Sequence, residues 1–232
     1  MKNRLIKRSH LSEKQCHEII QLFTEDLTAT QIANITLVSR VTINNYLKLI
    51  RTQIARFCEE KNPHYHRHQQ AHESTVLKQA KTSISDEAVD ALHPYYGFYK
   101  AGGNVYADRL NDIDKHSIHE LQRMKLLHDT TAEHQSHLNA YTHYHAIADF
   151  NNWRLFRIDT AVNLKNPAPA DEVTAFWSNT KNRLLKFRGL NKSTLPLHVK
   201  ESEFRFNFRN ENINEVLMGI INKRPLHFSK AS

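Results

Sequence analysis

The chain has 232 residues, 40% of them hydrophobic, and carries 32 Lys and Arg against 24 Asp and Glu for a formal net charge of +8. This is the composition of a globular protein long enough for one medium domain with a small one appended. No apolar run approaches the ~20 residues that a membrane span requires, and the opening MKNRLIKRSH lacks the apolar centre of a signal peptide, so a membrane partner is not expected and the cytoplasm is the expected compartment.

The charge is unevenly spread. Residues 1–61 carry 10 basic against 6 acidic side chains, residues 62–170 carry 11 against 12, and residues 171–232 carry 11 against 6. Two basic ends around a balanced middle attract polyanions through counterion release, which makes nucleic acid the first partner to consider. Cys16 and Cys58 each fall on an apolar helical stripe and read as small buried hydrophobes rather than as a disulfide.

In chain order, Ser12 and Gln15 have capping-box spacing, and Cys16, Ile19, Ile20, Phe23 and Leu27 then recur with helical period. Thr28 and Gln31 repeat the box and open a short second helix through about Asn34. Ser39 is placed to cap a third helix with the stripe Ile43, Tyr46, Leu47, Ile50, Ile54 and Phe57. Three helices with a tight turn before the last predict an all-α helix-turn-helix domain over residues 1–61. The third helix of such a unit enters the DNA major groove, and its solvent-facing residues would be Arg40, Thr42, Asn44, Asn45, Lys48 and Arg51. Arg forks onto guanine and Asn onto adenine, while Lys and Thr suit phosphates. The alternative is a solvated polar face, because small trihelical units also serve as protein-interaction modules. The turn before the third helix commonly uses Gly, whereas Leu37 stands here, and a left-handed Leu costs on the order of 1–2 kcal/mol.

Residues 62–72, NPHYHRHQQAH, place His64, His66 and His68 at alternate positions. Such tracts can bind zinc or nickel, but no matching Cys set or supporting carboxylate accompanies them, and the segment reads as a solvated linker. A second domain is expected over residues 73–232. Within it, residues 95–100 and 105–110 flank Ala101-Gly102-Gly103-Asn104 as a β-hairpin. A helix follows from Asp114 to about His128, carrying Ile118, Leu121 and Met124, and residues 153–158 alternate as a strand. From Asp171 the pattern is helical, with Val173, Phe176, Trp177, Thr180, Leu184 and Phe187 on one stripe. Two more helices are predicted near residues 194–209 and 211–222, the last with Ile213, Val216, Leu217 and Ile220. The mixture of hairpin, strand and helices predicts an α/β domain.

Four segments, MKNRLIKRSHLSEKQ, QIANITLVSRVTINNYLKLIRTQIARFCE, YYGFYKAGGNVY and FWSNTKNRLLKFRGLNKSTLPLHVKESEFRFNFRNEN (residues 176–212), carry a resemblance in this order. With them the chain resembles, almost end to end, the insertion-sequence transposases of the ISXO type. That resemblance implies an N-terminal helix-turn-helix joined to an RNase H-like DDE domain with a mixed sheet and C-terminal helices. It also implies double-stranded DNA as partner, at the terminal inverted repeats of the element, with nucleoid association when DNA-bound. DDE enzymes cut and join strands by in-line phosphoryl transfer on two metal ions ~3.5–4 Å apart, held by carboxylate oxygens that suit magnesium. The family supplies these acids from a VDES-like, a YTDGW-like and a GIENFW-like motif.

Carried onto this chain, the first motif is Ala71-His72-Glu73-Ser74, the second His134-Gln135-Ser136-His137-Leu138 and the third Glu172-Val173-Thr174-Ala175. The three acid positions are then His72, Ser136 and Thr174. The resemblance therefore implies a degenerate active site, no resident magnesium and no catalytic residues, so that the chain would bind element ends without cleaving or joining strands. Neither of two substitute sites restores the chemistry. A site rebuilt from Glu73, Glu133 and Asp171 needs three simultaneous shifts, since neighbouring strand residues face opposite ways. A zinc site from His72 and His137 with Thr174 would not support two-ion phosphoryl transfer. The second functional expectation is a repressor or dominant-negative regulator that occupies ends, alone as a homo-oligomer or paired with an intact transposase.

Overall fold

A computed structural model describes residues 3–64, 95–111, 113–127, 138–158, 171–187, 191 and 193–228. The protein is mixed α/β. By contact it divides into two compact units, bounded at Met1–Ser83 with Asn207–Ser232 and at Ile84–Phe206.

The described part of the first unit is built on α1 (Glu13–Thr24), α2 (Ala29–Thr36) and α3 (Arg40–Lys61). Each begins where the capping residues predict. The Ser12 hydroxyl accepts from the Gln15 backbone N–H at 3.3 Å while the Gln15 side chain accepts from the Ser12 N–H at 3.1 Å. Thr28 and Gln31 form the same reciprocal pair, and Ser39 accepts from the Thr42 N–H at 3.2 Å. These contacts satisfy backbone donors that no helical carbonyl reaches. Cys16, Ile19, Ile20 and Phe23 meet Ile32 and the stripe Ile43, Tyr46, Leu47, Ile50 and Ile54 in a buried core, each large side chain contributing ~1.5–3 kcal/mol by leaving water. Both cysteines are buried and free. Leu37 closes α2 in the left-handed region, with φ 55° and ψ 24°, as the missing glycine foreshadowed.

The C-terminal segment completes this unit instead of the second. Helix α7 (Ile213–Lys223) packs against α1 and α3, and β6 (Leu226–His227) pairs in parallel with β1 (Ile6–Lys7), Ile6 opposite Leu226. Tyr46 donates or accepts at Ser9 over 2.7 Å and meets the Phe228 ring edge-on at 4.9 Å, while Arg224 contacts Glu60 at 2.6 Å. The contacts thus group residues 207–232 differently from the domain expected over 73–232. The reason is apolar: Leu217, Ile221 and Leu226 are buried, and the α1–α3 core is what covers them.

In the second unit β2 (Tyr95–Ala101), β3 (Asn104–Arg109), β4 (Ala146–Asp149) and β5 (Arg154–Arg157) form an antiparallel sheet in the order β3-β2-β4-β5. Gly102 at φ 56° and Gly103 at φ 81° make the two-residue β2–β3 turn, where both positions must be left-handed to match strand twist. Side chains alternate as a pleat requires. Tyr96, Phe98, Val105, Ala107, Ala146 and Ala148 face α5 (Glu172–Leu185) and α6 (Leu195–Asn207) through Phe176, Trp177, Leu184, Val199 and Phe206. Tyr99, Tyr106 and Ile147 face the other way, where Ile118 and Leu121 of α4 (Lys115–Leu127) join Tyr144 and Leu138. Gly97 is required on β2 because an added Cβ would lie 2.5 Å from the Tyr144 ring, whose hydroxyl donates to Asp108 at 3.2 Å. Strand β4 escapes sequence reading because all of its residues are buried, so no polar alternation marks it.

Candidate nucleic-acid interface

Helix α3 projects a largely polar face away from the core. At roughly 100° per residue, the buried arc runs through Ile43, Tyr46, Leu47, Ile50 and Ile54, the opposite arc carries Asn44, Asn45 and Lys48, and Arg40 stands on its flank at the first residue of the helix, all four exposed. No acidic residue occurs on α3 before Glu59. The positive end of the helix dipole adds to the two cations at the first turns, a combination that favours phosphate oxygens. Chemically the face offers a forked cation, two amides able to donate and accept together, and an ammonium one turn further along.

The other two expected contacts are placed differently. Thr42 lies toward the side of the helix, half-buried, and its hydroxyl is 2.9 Å from that of the cap residue Ser39. Its part is in closing the helix start. Arg51 is half-buried with its guanidinium 5.5 Å from the Phe23 ring centre, so its stem and charge pack on α1. The residue that sequence reading passed over is Val41, which is 71% exposed in the middle of the polar arc. A valine on an outward arc was the available signal, but a search for donors and cations does not register it.

Of the three acid positions implied by the resemblance, His72 and Ser136 lie outside the described residues, as do Glu73, Glu133, His137 and most of the His-rich tract. Thr174 is described, at the first turn of α5. Asp171 caps that helix, accepting from the Thr174 N–H at 2.8 Å. Arg157, on β5, grips both: one of its amino groups donates to Asp171 at 2.8 Å and to the Thr174 hydroxyl at 2.9 Å, and the other reaches the second Asp171 oxygen at 2.5 Å. The guanidinium holds the Asp171 carboxyl far below the usual carboxylate range. Beside it, Glu172 is ion-paired with Lys100 of β2.

This locus does not fit a divalent ion. The carboxylate that would be recruited has both oxygens on a guanidinium, the remaining donor is a hydroxyl, and a fixed positive charge stands within hydrogen-bond reach of each. No protein-family model, no curated protein and no solved structure matches the chain.

Proposed function

We propose that the protein is a DNA-binding protein of the insertion-sequence transposase type, in which α2 and α3 act as a helix-turn-helix and strand cleavage and transfer are lost. The observation that carries the DNA half of this reading is the outward arc of Arg40, Asn44, Asn45 and Lys48 at the capped N-terminal end of α3, following a tight left-handed turn. Arg40 and Asn44 would meet base edges, and Lys48 the phosphate backbone.

The catalytic half rests on the resemblance together with the Thr174 locus. In an RNase H-like site the helix that follows the sheet must present an acid to two cations, and here its first turn presents Thr174, with Arg157 already bound to Asp171. Helices on both faces of the sheet suit such a domain, whereas the four described strands pair antiparallel throughout and not in the mixed order that the resemblance implies. Residues that replace carboxylates with imidazole and hydroxyl groups cannot hold paired magnesium, so occupancy of element ends is the activity that remains. A second reading, favoured by the same arc, is that end occupancy represses or competes with an intact transposase.

The test is a gel-shift and a strand-transfer assay on one set of duplexes, taken from the DNA on either side of the gene, with a scrambled duplex as reference. The proposal expects salt-sensitive binding that weakens in Arg40→Ala and Asn44→Ala, and no joined products in magnesium or manganese. Joined products would overturn the catalytic half; affinity equal for scrambled duplex and both variants would overturn the DNA-reading half.

A further inference from the structure

Among the described residues four large apolar side chains stand exposed: Ile35 at 52%, Leu37 at 91%, Val41 at 71% and Leu185 at 54%. Three of these fall within residues 35–41, on either side of the turn into α3. Val41 is the one that shares the arc of the polar residues, since Asn44, Asn45 and Lys48 follow it at i+3, i+4 and i+7. Its place is not explained by folding. The side chain is not buried in the core, and a β-branched residue is a poorer helix former than the alanine that an exposed position would accept.

The neighbours say what kind of surface covers it. Arg40 and Lys48 are cations and Asn44 and Asn45 are paired donors and acceptors, a frame that complements a polyanion with hydrogen-bonding edges. The major groove of DNA contains one apolar group, the 5-methyl of thymine, set among those edges. Val41 carries two methyl groups on a side chain that keeps essentially one rotamer in a helix, so little freedom is lost when it packs against such a methyl.

We infer that Val41 is a specificity-determining contact that reads the 5-methyl group of a thymine, between the bases met by Asn44 and Asn45. The inference rests on the proposed entry of α3 into the major groove and adds a base preference to it. Burying one methyl contributes about 0.8 kcal/mol, which is about fourfold in affinity.

The experiment selects a preferred duplex for the full-length protein from a random-sequence pool and then replaces each thymine of that duplex, one at a time, by uracil, which removes only the methyl. For the wild type, one replacement near the adenine or guanine contacts is expected to weaken binding about fourfold. For Val41→Ala the same replacement is expected to change affinity by less than about 1.5-fold, with the slope of affinity against salt unaltered because no phosphate contact is lost. Val41→Ala removes an exposed side chain and favours the helix, and circular dichroism of the variant checks that it is folded. A preferred site without thymine, uniform tolerance of uracil, or an equal uracil effect in both proteins overturns the inference while leaving DNA binding intact. A Val41→Ala change that alters self-association but not DNA affinity also overturns it, in favour of a protein contact. Failure to bind any duplex removes the inference together with the reading beneath it.

Discussion

The first unit buries Ile19, Ile20, Ile32, Ile43, Leu47, Ile50 and Ile54, an almost wholly aliphatic set, whereas α6 of the second buries Lys200, Glu201, Ser202 and Glu203 in an unbroken run. The second arrangement holds because every charge meets an opposite one. Glu201 is fully buried against the guanidinium of Arg183 and accepts from Arg205 Nε at 2.9 Å. Glu203 accepts from Lys200 Nζ at 2.8 Å and from the Ala107 backbone N–H of β3 at 3.0 Å, and burial pushes its carboxyl up. Thus the first core is tolerant in chemistry and sensitive to volume, while the second is sensitive to the loss of any single partner.

Both tryptophans, Trp153 and Trp177, lie in the second unit, so their fluorescence follows that unit and far-ultraviolet circular dichroism follows the helices of both. The largest effect is expected for Glu201→Ala, which takes the acid from the buried guanidinium of Arg183 and from the half-buried one of Arg205 and should cost about 3–5 kcal/mol. It should move the fluorescence-detected urea midpoint; an effect below about 1 kcal/mol would mean that the buried network is not what holds α6. Next is Leu217→Ala on α7, where a cavity under the C-terminal helix should cost about 2–4 kcal/mol. That loss should appear in circular dichroism and leave the tryptophan transition in place. Movement of the tryptophan transition instead would contradict the assignment of the C-terminal segment to the first unit.

Asp171, in the same second unit, is partly exposed. Asp171→Ala removes the α5 cap and should cost about 1–2 kcal/mol, and Asp171→Asn, which keeps a capping oxygen, less. The Asp171 carboxyl has a folded value below its ordinary value of 3.8, held there chiefly by the Arg157 hydrogen bonds. Its stabilisation is therefore complete above that ordinary value and lost as pH falls below it toward the depressed folded one. The gap in stability between wild type and Asp171→Asn should accordingly be flat at neutral pH and close in acid. A gap that instead grows in acid would contradict the pairing. The smallest effect runs the other way: Leu37→Gly relieves a left-handed leucine that is 91% exposed, and should stabilise the first unit by roughly 0.5–1 kcal/mol in thermal unfolding.

The same contrast explains what could be read beforehand. Ser12, Thr28 and Ser39 announce their helices because caps and apolar stripes are local, and the glycine pair of residues 102–103 announces its hairpin for the same reason. The strand at Ala146–Asp149 and the burial of Lys200, Glu201 and Glu203 are not local properties. Charge type predicts exposure only on average, and whether a glutamate is buried depends on an arginine eighteen positions earlier in the chain, as Glu201 and Arg183 illustrate. The return of β6 to β1 spans the entire chain and leaves no spacing to detect. On α3, the arc of Asn44, Asn45 and Lys48 was legible because helical period alone assigns it, and Arg40 joins it because it opens the helix, whereas the inward duties of Thr42 and Arg51 depend on Ser39 and Phe23. The Arg157 grip on Thr174 needed β5 and α5 to be placed together.

Whether the outward arc of α3 contacts DNA is decided by the salt dependence of affinity for a duplex from beside the gene, wild type against Lys48→Ala. One lost phosphate contact should lower the magnitude of the slope of log affinity against log salt by about 1. An unchanged slope, or affinity that does not respond to salt in either protein, would contradict a DNA contact there.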